Sequence, residues 1–379
     1  MAQVQVLHSD PTLMKRLKKF GAFEVDACFD CGNCTAVCPL SNGKTAFPRR
    51  MITYAQQGLE GKLLGTPDMW LCDYCGECTK TCPREAEPSE FMMATRRFAI
   101  SKYTPTPVSR LIFTSKLFVV IFMAAAALVP IGLFATLTMP AGQATNMFAF
   151  IPEIWIHYAG IAVGVAMGLA VLAGVFRMYR RVTVGMAADG QEAHPGPKVW
   201  LRELVPTVFR DSLLQSRSAE CKTDPEDERL KGRWFNHMLI LWGFLGLLAS
   251  TALRFLIVPT NGEVVPLTDP VRLLGTVSGA LLVYGTLAMM VSRTRKQEVS
   301  TRRTQFTDWV FLVLLLLAGL TGFLLEAFDY SSAQWLLNVG LATHLVVVFE
   351  LLILAPFTKF SHAIYRPFAI WISRVYGRI

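Results

Sequence analysis

Six long apolar stretches after Leu111 restrict this chain more than anything else in it. Hydrocarbon offers no partner for backbone N–H and C=O groups, so an apolar run of roughly 20 residues crosses a bilayer only as a helix. Leu117–Met139 and Ile154–Phe176 carry no Asp, Glu, Lys or Arg, and Trp234–Leu253, Leu273–Val291 and Trp309–Leu325 are equally free of them. Trp335–Phe357 carries one, Glu350. Six spans are expected, at about 113–139, 154–177, 234–257, 271–292, 307–327 and 335–358. A mean hydropathy of +0.39 with only 17% charged residues fits a membrane chain and would be unusual in a soluble one. Residues before Leu111 have ordinary polarity, so the expectation is two domains: 1–108 soluble and 109–379 in the membrane.

The net charge of +9 does not point to nucleic acid, because the basic residues lie between the apolar runs. Connections 140–153, 255–271 and 327–334 contain no Lys or Arg beyond the flanking Arg254 and Arg272, whereas 177–233 contains eleven, 292–305 five and 358–379 four. Basic connections stay in the cytoplasm. Both termini and the first domain are therefore expected there, in a multi-pass protein of the inner membrane. Trp155, Trp234, Trp309 and Trp335 lie near span ends, as interface anchors do.

The first domain carries two copies of one motif, Cys28-x2-Cys31-x2-Cys34-x3-Cys38-Pro39 and Cys72-x2-Cys75-x2-Cys78-x3-Cys82-Pro83. All four cysteines keep an offset of 72 − 28 = 44 residues. A C-x2-C-x2-C-x3-C-P run ligates [4Fe–4S] clusters, and where two runs occur the fourth cysteine serves the other cluster. The expected sets are Cys28, Cys31, Cys34 and Cys82 for one cluster, and Cys72, Cys75, Cys78 and Cys38 for the second. Zinc knuckles and disulfides are the competing readings; no signal peptide precedes the motifs, which disfavours disulfides. This domain should be mostly helical, with Pro48 opening a helix to about Gly58 and Pro105 and Pro107 stiffening the entry to the first span. The ninth cysteine, Cys221, and the charged run Asp224–Arg229 read as solvated parts of a long connection.

Of six histidines, His8 and His194 lie in polar segments, and four lie in or beside spans, where an ionisable residue is a functional hypothesis. There is no C-x-x-C-H, which excludes covalent haem. His344 and His362 are 18 residues apart, five helical turns and about 27 Å on one face if the helix is continuous past Pro356. One helix would then offer a haem b ligand near each membrane face. His237 matches His362 in depth and is its expected partner at the cytoplasmic side. His157 is the partner left for His344 at the periplasmic side, with five residues of depth mismatch. Gly160, Gly164 and Gly168 read as close helix packing or as room for a porphyrin. Glu350 is either a protonated packing residue or part of a quinone or proton path, to which Asn236 is a second candidate. Arg254 and Arg272 either pair with haem propionates or snorkel to the interface.

The segment Cys28–Pro83, with Trp70-Leu71-Cys72 and Cys82-Pro83-Arg84-Glu85, resembles the C subunits of heterodisulfide reductases. The six-span part resembles the membrane cytochrome b (E) subunits of the same enzymes and the γ subunit of respiratory nitrate reductase. In that family one helix carries two haem ligands at the spacing of His344 and His362, and His237 matches the ligand facing the cytoplasmic haem. The position ten residues on, where the family has a second ligand, is Leu247, which cannot ligate. The fusion of both parts is similar to the C subunits of the quinone-interacting membrane-bound oxidoreductases of sulfate reducers. That resemblance implies haem b, menaquinone, two soluble flavin and iron–sulfur partner subunits, and electrons directed towards adenylylsulfate reductase. No G-x-G-x-x-G follows a strand and no C-C-G motif occurs, so the chain is expected to move electrons without binding NAD or reducing a disulfide. The alternatives are a membrane anchor of a heterodisulfide-type reductase using methanophenazine and a non-catalytic redox-sensing anchor; a transporter lacks the paired broken helices. The expected fold is all-α.

Overall fold

A computed structural model of the chain describes residues 8–41, 45–137, 153–188, 195–220, 228–256, 265–296, 299–330 and 334–379. His194, Cys221 and most of the Asp224–Arg229 run lie outside them. Among the described residues all regular structure is helical, and six helices are long and apolar enough to cross a membrane: Lys116–Phe134, Ile154–Ala187, Gly232–Leu256, Pro270–Arg295, Phe306–Asp329 and Gln334–Phe357. The protein is a multi-pass membrane protein with a helical iron–sulfur domain ahead of its bundle.

Spans three to six pack in chain order, span one lies against span six, and span two touches span six. Ile112, Val119, Leu282, Leu314, Leu315, Val347, Leu351 and Leu354 form the core of this bundle. The helix of the second span, Glu153–Ala188, has 36 residues and is about 54 Å long at 1.5 Å per residue, against a hydrocarbon thickness of about 30 Å. It outruns the bilayer and runs up beside the N-terminal domain.

Domain and bundle share one core. Leu13, Leu17, Met51, Ile52, Leu63, Trp70, Phe91 and Phe98 of the N-terminal domain pack with Met178, Val182 and Met186 of the second-span helix and with Tyr365, Ala369 and Ile372 of the last helix, His362–Val375. Trp70, Tyr103 and Tyr365 meet ring to ring, with centroids 5.4–6.5 Å apart. Backbone touches backbone where Gly65 meets Gly185: a Cβ on Gly185 would lie 2.3 Å from the Gly65 carbonyl oxygen. Gly185→Leu should therefore force the second-span helix off the domain, at about 1–3 kcal/mol or more for overpacking. The expected result is a lower unfolding temperature and faster proteolytic release of residues 1–103; an unchanged melt would mean that this contact does not form.

The helix expected from Pro48 to about Gly58 spans Arg49–Gln56, and Gly58 ends the turn at φ +71. Pro107 caps a short helix, Val108–Thr114, that precedes the first span. Two expectations change. The sixth-span helix does not continue to His362: it ends at Leu354, passes through 3₁₀ turns at Ala355–Phe357 and Lys359–Ser361 around an extended Thr358, and a new helix starts at His362. Pro356 has no N–H to donate and its ring clashes with the preceding turn, so the helix breaks where it stands. The five-turn register between His344 and His362 is thus not realised. Gly160, Gly164 and Gly168 have no neighbouring atom within 4 Å of a built Cβ, so among the described residues they do not form a close-packed seam.

Candidate functional site: cysteine loops locked to a histidine pair

The 44-residue repeat reappears in the backbone. Cys28 and Cys72 are extended (φ −69, ψ 122 and φ −60, ψ 127). Asp30 and Tyr74 have positive φ. Gly32 and Gly76 have φ of +88 and +89 with ψ −5, each opening a single helical turn, Asn33–Ala36 and Glu77–Lys80. Glycine is needed there because an L side chain rarely adopts that conformation. Each loop presents three cysteines of its own repeat; Cys82 has Cys28 as a neighbour, and Cys38 has Cys72 and Cys75.

The thiols fall into two groups. Burial is the largest influence and pushes Cys28, Cys34, Cys38 and Cys78 up, Cys38 to about 12. The thiols that act on Cys28 and Cys34 are each other's neighbours Cys31 and Cys82. Cys38 and Cys78 respond chiefly to Cys72 and Cys75, with Cys34 as the link between groups. Cys38, Cys72, Cys75 and Cys78 line one small pocket, walled by Pro39, Phe47 and Met92. Among the described residues no three His, Cys, Asp or Glu side chains converge as a single ion requires. The Tyr74 and Ala86 N–H groups donate to the Cys72 and Cys82 sulfurs at 3.3 and 3.4 Å, contacts of the kind that tune cluster potentials. Cys31 is exposed and Cys72 buried, so the first group faces outward and the second faces the bundle.

The second loop is fastened to the bundle. Arg233 Nη1 and Nη2 donate to the Tyr74 and Asp73 carbonyls at 2.9 and 3.1 Å. Arg366 pairs with the Asp73 carboxylate, which also accepts from Ser218 Oγ at 2.6 Å. Burial would raise the Asp73 carboxyl, but Arg366 and Ser218 outweigh it and hold it below the usual range. Beneath the loop Arg96 donates to the Met69 carbonyl at 2.8 Å and to the Cys72 carbonyl. Arg233 stands one helical turn before His237, and Arg366 one turn after His362. The sequence reading missed both arginines and Asp73; an arginine at i−4 and i+4 of the two candidate histidines was the available signal.

The His237 and His362 rings lie 6.2 Å apart between centroids, at 65°. An iron between two imidazoles, each at the roughly 2 Å of a metal–imidazole bond, sets ring centres about 6 Å apart. His362 Nδ1 donates to the Lys359 carbonyl, which leaves Nε2 as the lone-pair nitrogen; such a second bond is what orients metal-binding imidazoles. Burial, helped by His237, pushes the His362 imidazolium down to about 3, so the ring is neutral. His237 Nδ1 is buried without a hydrogen-bond partner. The pair fits a bis-imidazole haem.

His344 meets Thr321, with Nδ1 2.9 Å from Oγ1. The Thr321 hydroxyl proton goes to the Leu317 carbonyl at 2.6 Å, so Oγ1 accepts from His344 Nδ1–H and again frees Nε2. His157 packs edge-to-face on Phe255 of the third span at 4.5 Å. Glu350 is buried in the apolar stripe of Val347, Leu351 and Leu354. Asn236 adjoins His237, and its backbone carbonyl abuts Gly285. Arg254 pairs with Asp269 at 2.6 Å, and Arg272 with Glu326 and Asp329 at 3.1 and 3.3 Å. These two arginines are thus engaged by carboxylates of the chain itself.

Comparison with known proteins agrees with this layout. Residues 24–86 match the family model described as a 4Fe-4S dicluster domain. A protein of Archaeoglobus profundus named as like the C subunit of heterodisulfide reductase is 36% identical over 88 residues, 23% of this chain and 47% of the relative. The C subunit of an H(2):CoB-CoM heterodisulfide,ferredoxin reductase of Methanothermobacter marburgensis is 30% identical over 63 residues, 17% of this chain and 34% of the relative. The chain thus spans about half or less of the curated relatives it matches. No solved structure gives a significant match. The fold, the eight cysteines and these relatives make the chain a membrane-associated iron–sulfur redox subunit whose N-terminal domain holds two [4Fe–4S] clusters. Residues 105–378, most of the chain, match the model described as Citrate utilization protein B, and the chain belongs to that family.

Proposed function

We propose that this chain carries electrons between menaquinol in the bilayer and two soluble flavin and iron–sulfur partner subunits, directed towards adenylylsulfate reductase, as in the quinone-interacting oxidoreductases of sulfate reducers. His237 and His362 hold one haem b; His344 with His157 holds a second. Cys28, Cys31, Cys34 and Cys82 hold the outer cluster, and Cys38, Cys72, Cys75 and Cys78 the inner one. Haem and clusters supply one-electron chemistry when bound; the chain supplies placement and tuning. The N-terminal domain and the histidine pair lie on the cytoplasmic side, by the distribution of Lys and Arg. Glu350 and Asn236 are the polar residues offered to a quinone within the bundle.

One observation carries this reading. The Cys72–Cys75 loop is bonded through Arg233 and Arg366 to the two helices that present His237 and His362, each within one turn of the histidine. Nothing in a merely anchored ferredoxin requires that registry. The relatives named as heterodisulfide reductase subunits favour a second reading, a membrane anchor for a heterodisulfide-type reductase. It requires a co-purifying partner with a C-C-G motif.

The test is a dithionite-minus-oxidised spectrum of the purified chain with iron analysis. Two low-spin b haems and about eight non-haem irons are expected; a protein with clusters but no haem would leave only the anchor or sensor readings. Arg366→Gln should leave the haem spectrum intact while lowering the inner cluster's potential and slowing its reduction by a quinol analogue. It removes a positive charge beside that loop and leaves Asp73 unpaired. Such a loss is worth about 3–5 kcal/mol at full burial and less here, since Arg366 keeps some exposure. Unchanged potential and rate would remove Arg366 from the coupling.

A further inference from the structure

The segment between spans two and three carries a helix turned the wrong way for water. Pro197–Pro206 is α-helical and continues with π winding through Thr207–Leu213. Its inward face is polar and bonded to the last helix. Asp211 binds Arg374 at 2.7 Å, and Glu203 lies 4.0 Å from the same guanidinium. The Trp200 carbonyl accepts from Trp371 Nε1 at 2.8 Å. The outward face is apolar: Leu201, Val205, Val208 and Phe209 follow at i, i+4, i+7 and i+8, and the first, second and fourth are 68%, 58% and 61% exposed. Leu214 extends the patch. A helix on a soluble body buries its apolar stripe; here the stripe is the part left out.

We infer that residues 197–214 form an interfacial helix that lies in the headgroup layer of the membrane, with Leu201, Val205, Phe209 and Leu214 dipped towards the acyl chains and basic residues meeting anionic lipid. Three observations select lipid as the occupant. The helix sits at the right depth, because Trp200 meets Tyr179 edge-to-face at 6.1 Å, and Tyr179 stands on the second-span helix among Arg177, Arg180 and Arg181. The exposed apolar surface is continuous in kind with the outward residues of that span, Leu172 and Phe176, 65% and 60% exposed. The exposed charges of the segment, Lys198, Arg202 and Arg210, are all basic, the pattern of an amphipathic helix on an anionic leaflet. The helix also braces the last helix, through Arg374 and Trp371, on the same element that presents His362.

A benzophenone amino acid placed at Leu201 or Phe209 of the full chain in its native membrane tests this. Irradiation should give lipid adducts at both sites, as at Leu172 in the span, and none at Phe29 in the N-terminal domain. Adducts to another protein chain at both sites would assign the patch to a protein partner and overturn the proposal, as would no adduct at either while Leu172 is labelled. In nanodiscs, amide exchange over 197–214 should be slower with phosphatidylglycerol present than with phosphatidylcholine alone. K198Q/R202Q/R210Q should abolish that difference. Equal exchange in both lipids would overturn the role of the basic residues.

Discussion

His362→Ala should remove one of two low-spin b-haem signals and lower the haem content of the purified protein by about half. The 6.2 Å separation of the His237 and His362 rings is the reason. A haem held by two imidazoles loses its low-spin state when either is gone, so His237→Ala should have the same effect. The double variant should lose no more than either single one, because both act on one group. His344→Ala should spare this signal and remove the other, since His344 sits with Thr321 on the fifth and sixth spans. His157→Ala with both haems still low-spin would leave His344 in need of another partner. Loss of both signals from His362→Ala would mean that the break at Pro356 transmits the change through the bundle.

Cys82→Ser should damage the cluster of the first repeat, not its own. The Cys82 thiol acts on Cys28 and Cys34, while Cys38 lines the same space as Cys72, Cys75 and Cys78. Cys38→Ser should accordingly perturb the second cluster. In the reduced protein each variant should lose or alter one of two interacting paramagnetic signals and retain the other, with iron content down by as much as half. The electrostatic surroundings tell the two apart. The inner cluster has Arg96, Arg233 and Arg366 around its loop, and the outer one has exposed Cys31. The remaining signal in Cys82→Ser should therefore be the one with the higher potential. If Cys82→Ser left the first repeat's signal untouched and changed only the second, the exchange of fourth ligands would be wrong.

The six spans and both cysteine runs were legible because each is set by local composition: apolar length in one case, spacing and a closing proline in the other. The repeat reappears as matching backbone, down to Gly32 and Gly76. The histidine pair was reached through a helix register that Pro356 breaks; what brings His362 to His237 is a fresh helix that starts at His362 itself. The Asp73–Arg366 pair was not legible, since its partners are 293 residues apart and charge alone does not say which arginine closes on which loop. The same holds for the shared core of Trp70, Tyr103 and Tyr365 and for the Gly65–Gly185 contact. All three join domain to bundle, and such long-range docking leaves no periodic trace. The glycines of the second span read as a packing seam from spacing alone, yet among the described residues they face no neighbour.

The central claim is that electrons entering from quinol pass the histidine pair before reaching the cysteine loops. It is tested most directly by rapid mixing of the oxidised protein with a menaquinol analogue, following haem and cluster absorbance separately, in wild type and in His362→Ala. The account predicts haem reduction before cluster reduction in wild type, and cluster reduction at least tenfold slower in the variant, a barrier increase of about 1.4 kcal/mol or more. Clusters reduced at the unaltered rate in His362→Ala would contradict it.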